Sequence, residues 1–420
     1  MNNYIKRTLK NGVKLYLYIN KNMKKTFVSY MVDYGSNGKY FNFKYKGKEY
    51  HVLPGIAHFL EHMLGEHSKY GNMYKIFGSR GYARNGLTGI DYTYYYFTGK
   101  NDIKDSIKVL IESIDDPVFT KEDVEETKYA IAEETKRSLN STPTVLQIMA
   151  ERNLYKNLDL FHETLGPIGD EKTTYELDYD TLKMCYDAFY YDENKTLVIG
   201  GNFDEEEMVE YLESIYANLK PHKKNLELIE YKNLDVLRKK EETKVMPTDD
   251  DYVTIVFKNK IKDYSLFEIA FYTDFLLENK FAKKMPKIEQ LFKDNIISFI
   301  DRDSAGFPVD GYYHFQVDAK VKDKQNKKFI DFVLYELKNE EFSEKDFDLY
   351  IRREMAEQAF SLDNKYHLLY AFPRHKKICD DYVIIDKLKE LNFKDFLKFY
   401  KTIDFDTYTI GTIVKEKDTK

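Results

Sequence analysis

Tryptophan is absent from this chain, and Cys185 and Cys379 are its only cysteines. Two thiols so far apart form neither a redox pair nor the spacing of a zinc knuckle. Reduced cysteines in a cytoplasmic protein are therefore the expectation. No uninterrupted apolar run approaches a membrane span, and the opening segment MNNYIKRTLKNGVKLYLYI lacks the apolar stretch of a secretory leader. Neither a span nor export by an ordinary signal is expected. A surplus of one charge is missing too: 65 Lys and Arg are interspersed with 71 Asp and Glu, for a net charge of −6. Without a basic face, nucleic acid is not an expected partner.

Apolar residues make up 43% and charged residues 32% of the chain, the balance of a globular protein. Its 420 residues exceed what one core usually holds, so two domains of roughly 200 residues are expected. The 37 Tyr and 29 Phe read as a bias of residue usage, with a tyrosine-lined peptide cleft as the alternative.

Val13, Leu15 and Leu17 alternate in strand fashion after a turn at Asn11-Gly12, and Phe27 to Tyr34 reads as a second strand. Helical periodicity follows over 55–67, 71–79, 103–115, 121–139, 143–156 and 178–190, with strands at Tyr94 to Thr98 and Thr196 to Gly200. From Pro221 to Lys244 the chain is polar and aperiodic. Residues 223–244 read as a linker between domains at 1–222 and 245–420. The second half echoes the first. Phe119-Thr-Lys-Glu-Asp-Val-Glu125 returns 223 residues later as Phe342-Ser-Glu-Lys-Asp-Phe-Asp348, each opening a long helix. Tyr186 to Ile199 and Phe399 to Val414 both run from an aromatic helix into a β-branched strand. The expected fold is α+β: two homologous domains, each a mostly antiparallel sheet covered by helices.

One segment carries chemistry: Gly55-Ile-Ala-His58-Phe-Leu-Glu61-His62-Met-Leu-Gly65. On a helix His58 and His62 share a face one turn apart, with Glu61 beside them. Neutral imidazoles suit Zn²⁺, and a neighbouring carboxylate can take a proton from water and pass it to a leaving amine. This is the inverted form of the H-E-x-x-H zinc helix. The alternative is hydrogen bonding among the three side chains on a core helix. Ile56, Phe59, Leu60, Met63 and Leu64 would bury that helix, however, and three ionisable groups there would be costly without a metal or partners. A catalytic zinc takes three protein ligands, so one more must come from elsewhere. The acidic helix Glu125 to Glu134 offers Glu126 and Glu133 two turns apart on one face, Glu133 to ligate and Glu126 to orient. A solvated surface role is the competing reading of both. Glu134, adjacent but rotated about 100° around the helix, is the less favoured ligand.

These residues resemble the pitrilysin and insulysin (M16) family of inverted-motif zinc peptidases. Its H-x-x-E-H is followed, slightly more than 70 residues on, by an E-x-x-x-x-x-x-E helix, which Glu126 and Glu133 match with 70 residues intervening. Gly81-Tyr-Ala-Arg-Asn85-Gly86-Leu-Thr88 resembles the family's G-x-x-x-N-A-x-T strand, with glycine where the family has alanine. Tyr190-Tyr-Asp-Glu-Asn194 resembles its helix-to-strand signature. The resemblance implies one Zn²⁺ on His58, His62 and Glu133, Glu61 as general base, and a peptide substrate added as a β-strand beside Asn85, Gly86 and Thr88. A plain turn or cap role stays open for Asn85.

The second half departs from the pattern. On the repeat, Leu349 and Ala356 fall where Glu126 and Glu133 sit, and a 223-residue shift of the histidines gives Phe281 and Met285. This copy has lost the metal. The family usually draws from it an arginine and a tyrosine that hold substrate carbonyls, whereas the equivalent segment here offers Phe292 and Phe299. The pattern resembles bacterial members whose zinc chain works with a homologous partner supplying those residues, with Lys293, Arg302 or a tyrosine from elsewhere as substitutes within this chain. Two other classes compete: a non-catalytic scaffold or peptide-binding subunit of the same fold, and a structural zinc site closed by Glu66 or His67.

Overall fold

The structure is a computed structural model, and it describes residues 4–100, 103–156, 169–229, 234–309, 311–363 and 384–416. Cys379 lies outside the described residues. The chain divides into two compact units, one of Met1–Ser138 with Asp159–Glu230, the other of Leu139–Leu158 with Tyr231–Lys420.

The first unit contains β1 (Tyr4–Thr8), β2 (Lys14–Ile19), β3 (Thr26–Val32), β4 (Asn42–Tyr45), β5 (Lys48–His51), α1 (Ile56–Glu66), α2 (Met73–Ser79), β6 (Ala83–Thr88), β7 (Thr93–Gly99), α3 (Ile103–Asp115) and α4 (Lys121–Leu139). Helix α5 (Thr142–Asn153) belongs to the second unit, after which the first resumes with α6 (Glu171–Glu176), α7 (Tyr179–Phe189), β8 (Lys195–Gly201), α8 (Glu205–Tyr216) and β9 (Leu226–Leu228). The second continues with β10 (Glu241–Met246), β11 (Asp251–Lys260), α9 (Leu266–Phe281), α10 (Pro286–Lys293), β12 (Ile297–Val309), β13 (Tyr312–Val321), α11 (Asn326–Leu337) and α12 (Glu344–Asp363). Helices at Ile384–Leu388 and Phe393–Tyr400 and strand β14 (Tyr408–Lys415) complete it.

The main sheet of the first unit is ordered β1-β2-β8-β3-β7-β6, that of the second β10-β14-β11-β13-β12. Leaving β1 aside, the orders correspond strand for strand. β2 pairs parallel with β8 as β10 does with β14. Every other pairing in both sheets is antiparallel. The helices follow suit, with α1 and α2 between β3 and β6 as α9 and α10 stand between β11 and β12. The internal repeat read from two helix openings thus extends through the whole topology, and the α+β class is as expected.

Central strands β7 and β8 are buried on both faces, which is why they read as apolar or β-branched runs rather than as alternation. Tyrosine serves mainly as core. Tyr30, Tyr94, Tyr95, Tyr186 and Tyr190 are among the most completely buried side chains. Four of these hydroxyls find hydrogen-bond partners: Tyr30 donates to Asp115 at 2.5 Å, Tyr186 to the Ile114 carbonyl at 2.9 Å, and Tyr95 and Tyr190 meet at 3.2 Å. A buried ring with a satisfied polar tip fills the role of a large core residue. Asp115 also holds the buried Lys195 at 2.7 Å.

The unit boundaries differ from those expected. Helix α5 packs Val145, Leu146 and Met149 against Ile413 of β14, while Arg152 holds Glu242 at 2.9 Å. Just beyond α5, the Leu154 carbonyl accepts from buried Lys258 at 2.5 Å. Residues 223–244 are not a plain linker either. β9 pairs with β4 in the first unit, and β10 is an edge of the second sheet. Short polar strands at sheet edges carry too little hydrophobic signal to be distinguished from a linker.

Candidate metal and catalytic site

Gly55, at φ 95, turns the chain into α1 through the left-handed region. Ile56, Phe59, Leu60, Met63 and Leu64 then anchor the helix in the core. That anchoring carries His58 and Glu61 under cover as well, at 4% and 8% exposure. Nε2 of His58 and Nε2 of His62 lie 3.3 Å apart. The carboxylate of Glu134, on α4, reaches both, 3.7 Å from His58 and 3.5 Å from His62. Among the described residues these three form the group able to hold a metal ion, their ligand atoms all within 4.8 Å of one another.

The third member is Glu134, not the expected Glu133. Helix α4 buries Val124, Thr127, Lys128, Ile131 and Thr135. Glu134 stands three residues past Ile131 and seven past Thr127, at the border of that stripe. Glu133 and Glu126 do share a face, as the spacing indicates, but it is the outer one. Glu133 is half-exposed and its nearest ion-pair partner is Lys136 at 3.9 Å; Glu126 is exposed. The buried stripe was legible in the sequence and would have selected Glu134. So would the interval: 71 residues separate His62 from Glu134, which removes the shortfall against the family spacing.

Glu126 does not orient the site. The position seven before Glu134 is Thr127, whose hydroxyl is 2.9 Å from Nε2 of His67. His62 is instead held through Nδ1 by Glu66, one turn further along α1, at 2.9 Å. Nδ1 of His58 is buried without a hydrogen-bond partner. Neither Glu66 nor His67 closes the metal group, since Glu66 is engaged at the far side of the His62 ring and His67 by Asp123 and Thr127. A zinc held by His58, His62 and Glu134 would keep a further position for water or substrate.

Two imidazole nitrogens about 2.0–2.1 Å from one tetrahedral ion stand about 3.3 Å apart, the separation found here. The His-His-Glu donor set is of the kind catalytic zinc takes, so the residues fit that ion. Burial opposes a charge on His62, but hydrogen bonds from its ring to the Glu134 and Glu66 carboxylates outweigh it and raise its pKa to about 10. Hydrogen bonds from His58 and His62 hold the Glu134 carboxyl well below the usual range. Burial pushes Glu61 up against the opposing pull of His58 and His62, the direction that suits a general base.

Thr88 approaches Glu61 Oε2 at 3.3 Å, and the Tyr74 hydroxyl approaches Oε1 at 3.4 Å. Both side chains come from segments flanking α1: β6, the last strand of its sheet, and α2. Gly86 also faces Glu61, so alternation along β6 turns exposed Asn85 to the opposite face. Asn194 of the helix-to-strand signature bonds the carbonyls of Asp33 and Phe189, a structural role.

The corresponding place in the second unit holds ion pairs. Arg353 of α12 clasps Glu278 of α9 through two 2.5 Å contacts and meets Glu354 at 2.9 Å; Arg302 of β12 approaches Glu278 at 3.6 Å. A 223-residue shift of Glu134 gives Glu357, 3.6 Å from Arg353. No metal-holding group was found in this unit among the described residues.

An H-x-x-E-H helix facing a carboxylate from a second helix, in a duplicated α+β fold, is the arrangement of the inverted-motif zinc peptidases. Comparison with known proteins agrees. Residues 48–168 match the model of insulinase (peptidase family M16), and residues 176–354 match that of the M16 inactive domain. The chain belongs to the M16, or insulinase, peptidase family. It is 28% identical over 294 residues to YmfH of Bacillus subtilis, described as an uncharacterized zinc protease, an alignment covering 69% of this chain and 68% of that one. Its fold matches an M16-like peptidase from Alicyclobacillus acidocaldarius with a TM-score of 0.87 at 18% identity, covering 98% of both chains. It also matches the periplasmic protease PqqL of Escherichia coli, with a TM-score of 0.72 at 15% identity, covering 99% of this chain and 48% of that one.

Proposed function

We propose that this chain is a zinc-dependent endopeptidase acting on peptides or unfolded segments. The observation that carries the reading is the convergence of His58, His62 and Glu134 on one point with the Glu61 carboxylate beside it. His58, His62 and Glu134 would hold the ion. When bound, it supplies Lewis acidity toward the scissile carbonyl and the attacking water. Glu61 takes the proton of that water and delivers it to the departing amine. Burial raises the Glu61 carboxyl, the direction that favours a general base. β6, at the end of its sheet order, gives an extended peptide a row of main-chain partners next to Glu61, with Gly86 and Thr88 on the Glu61 side and Asn85 on the other.

A homologous partner chain supplying the arginine and tyrosine clamp is part of the proposal. It is supported by what this chain offers in their place. Arg302 approaches Glu278, Lys293 pairs with Glu289 at 3.8 Å, and Phe292 and Phe299 have no donor for a substrate carbonyl. PqqL, of which this chain covers 48%, is long enough to hold two such lengths in one polypeptide. A cytoplasmic setting fits the buried, unpaired Cys185 and the absence, among the described residues, of a helix long and apolar enough to cross a membrane.

Metal content tests the reading. One zinc per chain is expected, lost in His62→Ala and kept in Glu61→Gln, with peptide hydrolysis lost in both. A folded protein that takes up no zinc when it is supplied would be a scaffold of the same fold.

A further inference from the structure

The departure at Gly86 has a physical counterpart in the structure. A methyl group there would overlap both Glu61 Oε1 and the Tyr74 hydroxyl. A methyl group at Gly65, on α1, would overlap the Tyr74 ring, and the three heavy atoms nearest to it all belong to Tyr74. Tyr74 therefore lies in a slot opened by glycines on two elements, α1 and β6. At its end the hydroxyl is 3.4 Å from the carboxylate of Glu61. Two missing side chains admit one large residue and bring its only polar atom to the general base.

We infer that Tyr74 is a positioning residue for Glu61, donating a hydrogen bond to Oε1 while Thr88 donates to Oε2, so that the carboxylate is held in one rotamer for proton transfer. The inference rests on the peptidase reading, in which Glu61 is the base. Burial and the adjacent carboxylates of Glu61 and Glu66 keep the phenol protonated, so it acts as a donor throughout the working range. Free rotation of a catalytic carboxylate costs rate because reaction needs the base in reach of its water. Restricting it helps kcat without adding any contact to the substrate.

Two measurements test this. Steady-state kinetics on a quenched unstructured peptide, with the partner present where turnover requires it, should show kcat of Tyr74→Phe reduced about tenfold, with KM and zinc affinity unchanged. Melting temperatures test the slot without turnover. Gly65→Ala should lower the melting temperature beside Tyr74, but leave it unchanged or raise it in Tyr74→Leu, where the ring is gone. Equal destabilisation in both backgrounds, or a Tyr74→Phe enzyme with wild-type kcat, overturns the inference while leaving the peptidase reading intact. A chain that binds no zinc defeats the peptidase reading and with it the role of the hydroxyl, whatever the slot measurement gives.

Discussion

One residue step on α4 decides which carboxylate meets the two histidines. Adjacent positions on a helix point about 100° apart, so Glu133 and Glu134 are chemically identical and geometrically unrelated. Glu134→Gln should abolish tight zinc binding, and Glu133→Gln should leave it at the wild-type level, as read by competition with a chromogenic chelator. The reverse pattern would return the site to the face of Glu126. Glu66 presents a related case. Its carboxylate fixes the tautomer and direction of His62 from one turn along the same helix, work for which the sequence pattern suggested α4. Loss of such a partner typically costs 10–100-fold in metal affinity. Glu66→Gln should fall about that far in the same assay, while Glu126→Gln should not change it.

Elements carry their own lesson in α5. Its amphipathic pattern fixes a helix but names no sheet to receive it. Leu146 is buried against the β14 side of the second unit, although the helix precedes five further elements of the first. Leu146→Ala should cost about 2–4 kcal/mol by urea denaturation. Limited proteolysis should show the added sensitivity in residues 231–420 rather than in residues 1–138. β6 shows the opposite economy. A strand at the end of the sheet order, with alternate residues turned to α1 and away from it, brings Gly86 and Thr88 against Glu61 and turns Asn85 outward within the same six residues.

At the scale of the whole molecule the duplicated fold has been put to two uses. One copy assembles His58, His62, Glu61 and Glu134; the other fills the corresponding place with Arg353, Glu278 and their ion pairs. On this reading the purified chain should bind zinc alone but hydrolyse peptides only with its partner; full turnover by a verified monomer would remove the partner from the scheme. The second copy also has a pH signature of its own. His314 is buried beside Lys258 and bonded to Tyr155, and burial lowers its pKa from 6.5 to about 3. Its folded value lies below its unfolded one, so the unfolded chain binds the extra proton. The stabilisation is complete above about pH 6.5 and is lost as the pH falls towards 3. Urea midpoints at pH 7.5 and pH 5 should fall further in the wild type than in His314→Gln, and an equal fall in both would discount this histidine.

The sequence by itself determined the duplicated α+β architecture, the bounds of six helices between residues 56 and 189 to within a few residues, and His58, Glu61 and His62 as one cluster. Those are local properties. Periodicity fixes a helix, and side chains three and four apart on one helix must meet. What the tertiary structure decided are the pairings between distant segments: α4 against the two histidines of α1, α5 with the second unit, and Tyr74 between Gly65 and Gly86. Each depends on which face of an element turns to the core and on what stands opposite, and hydrophobic spacing constrains the first only loosely and the second not at all.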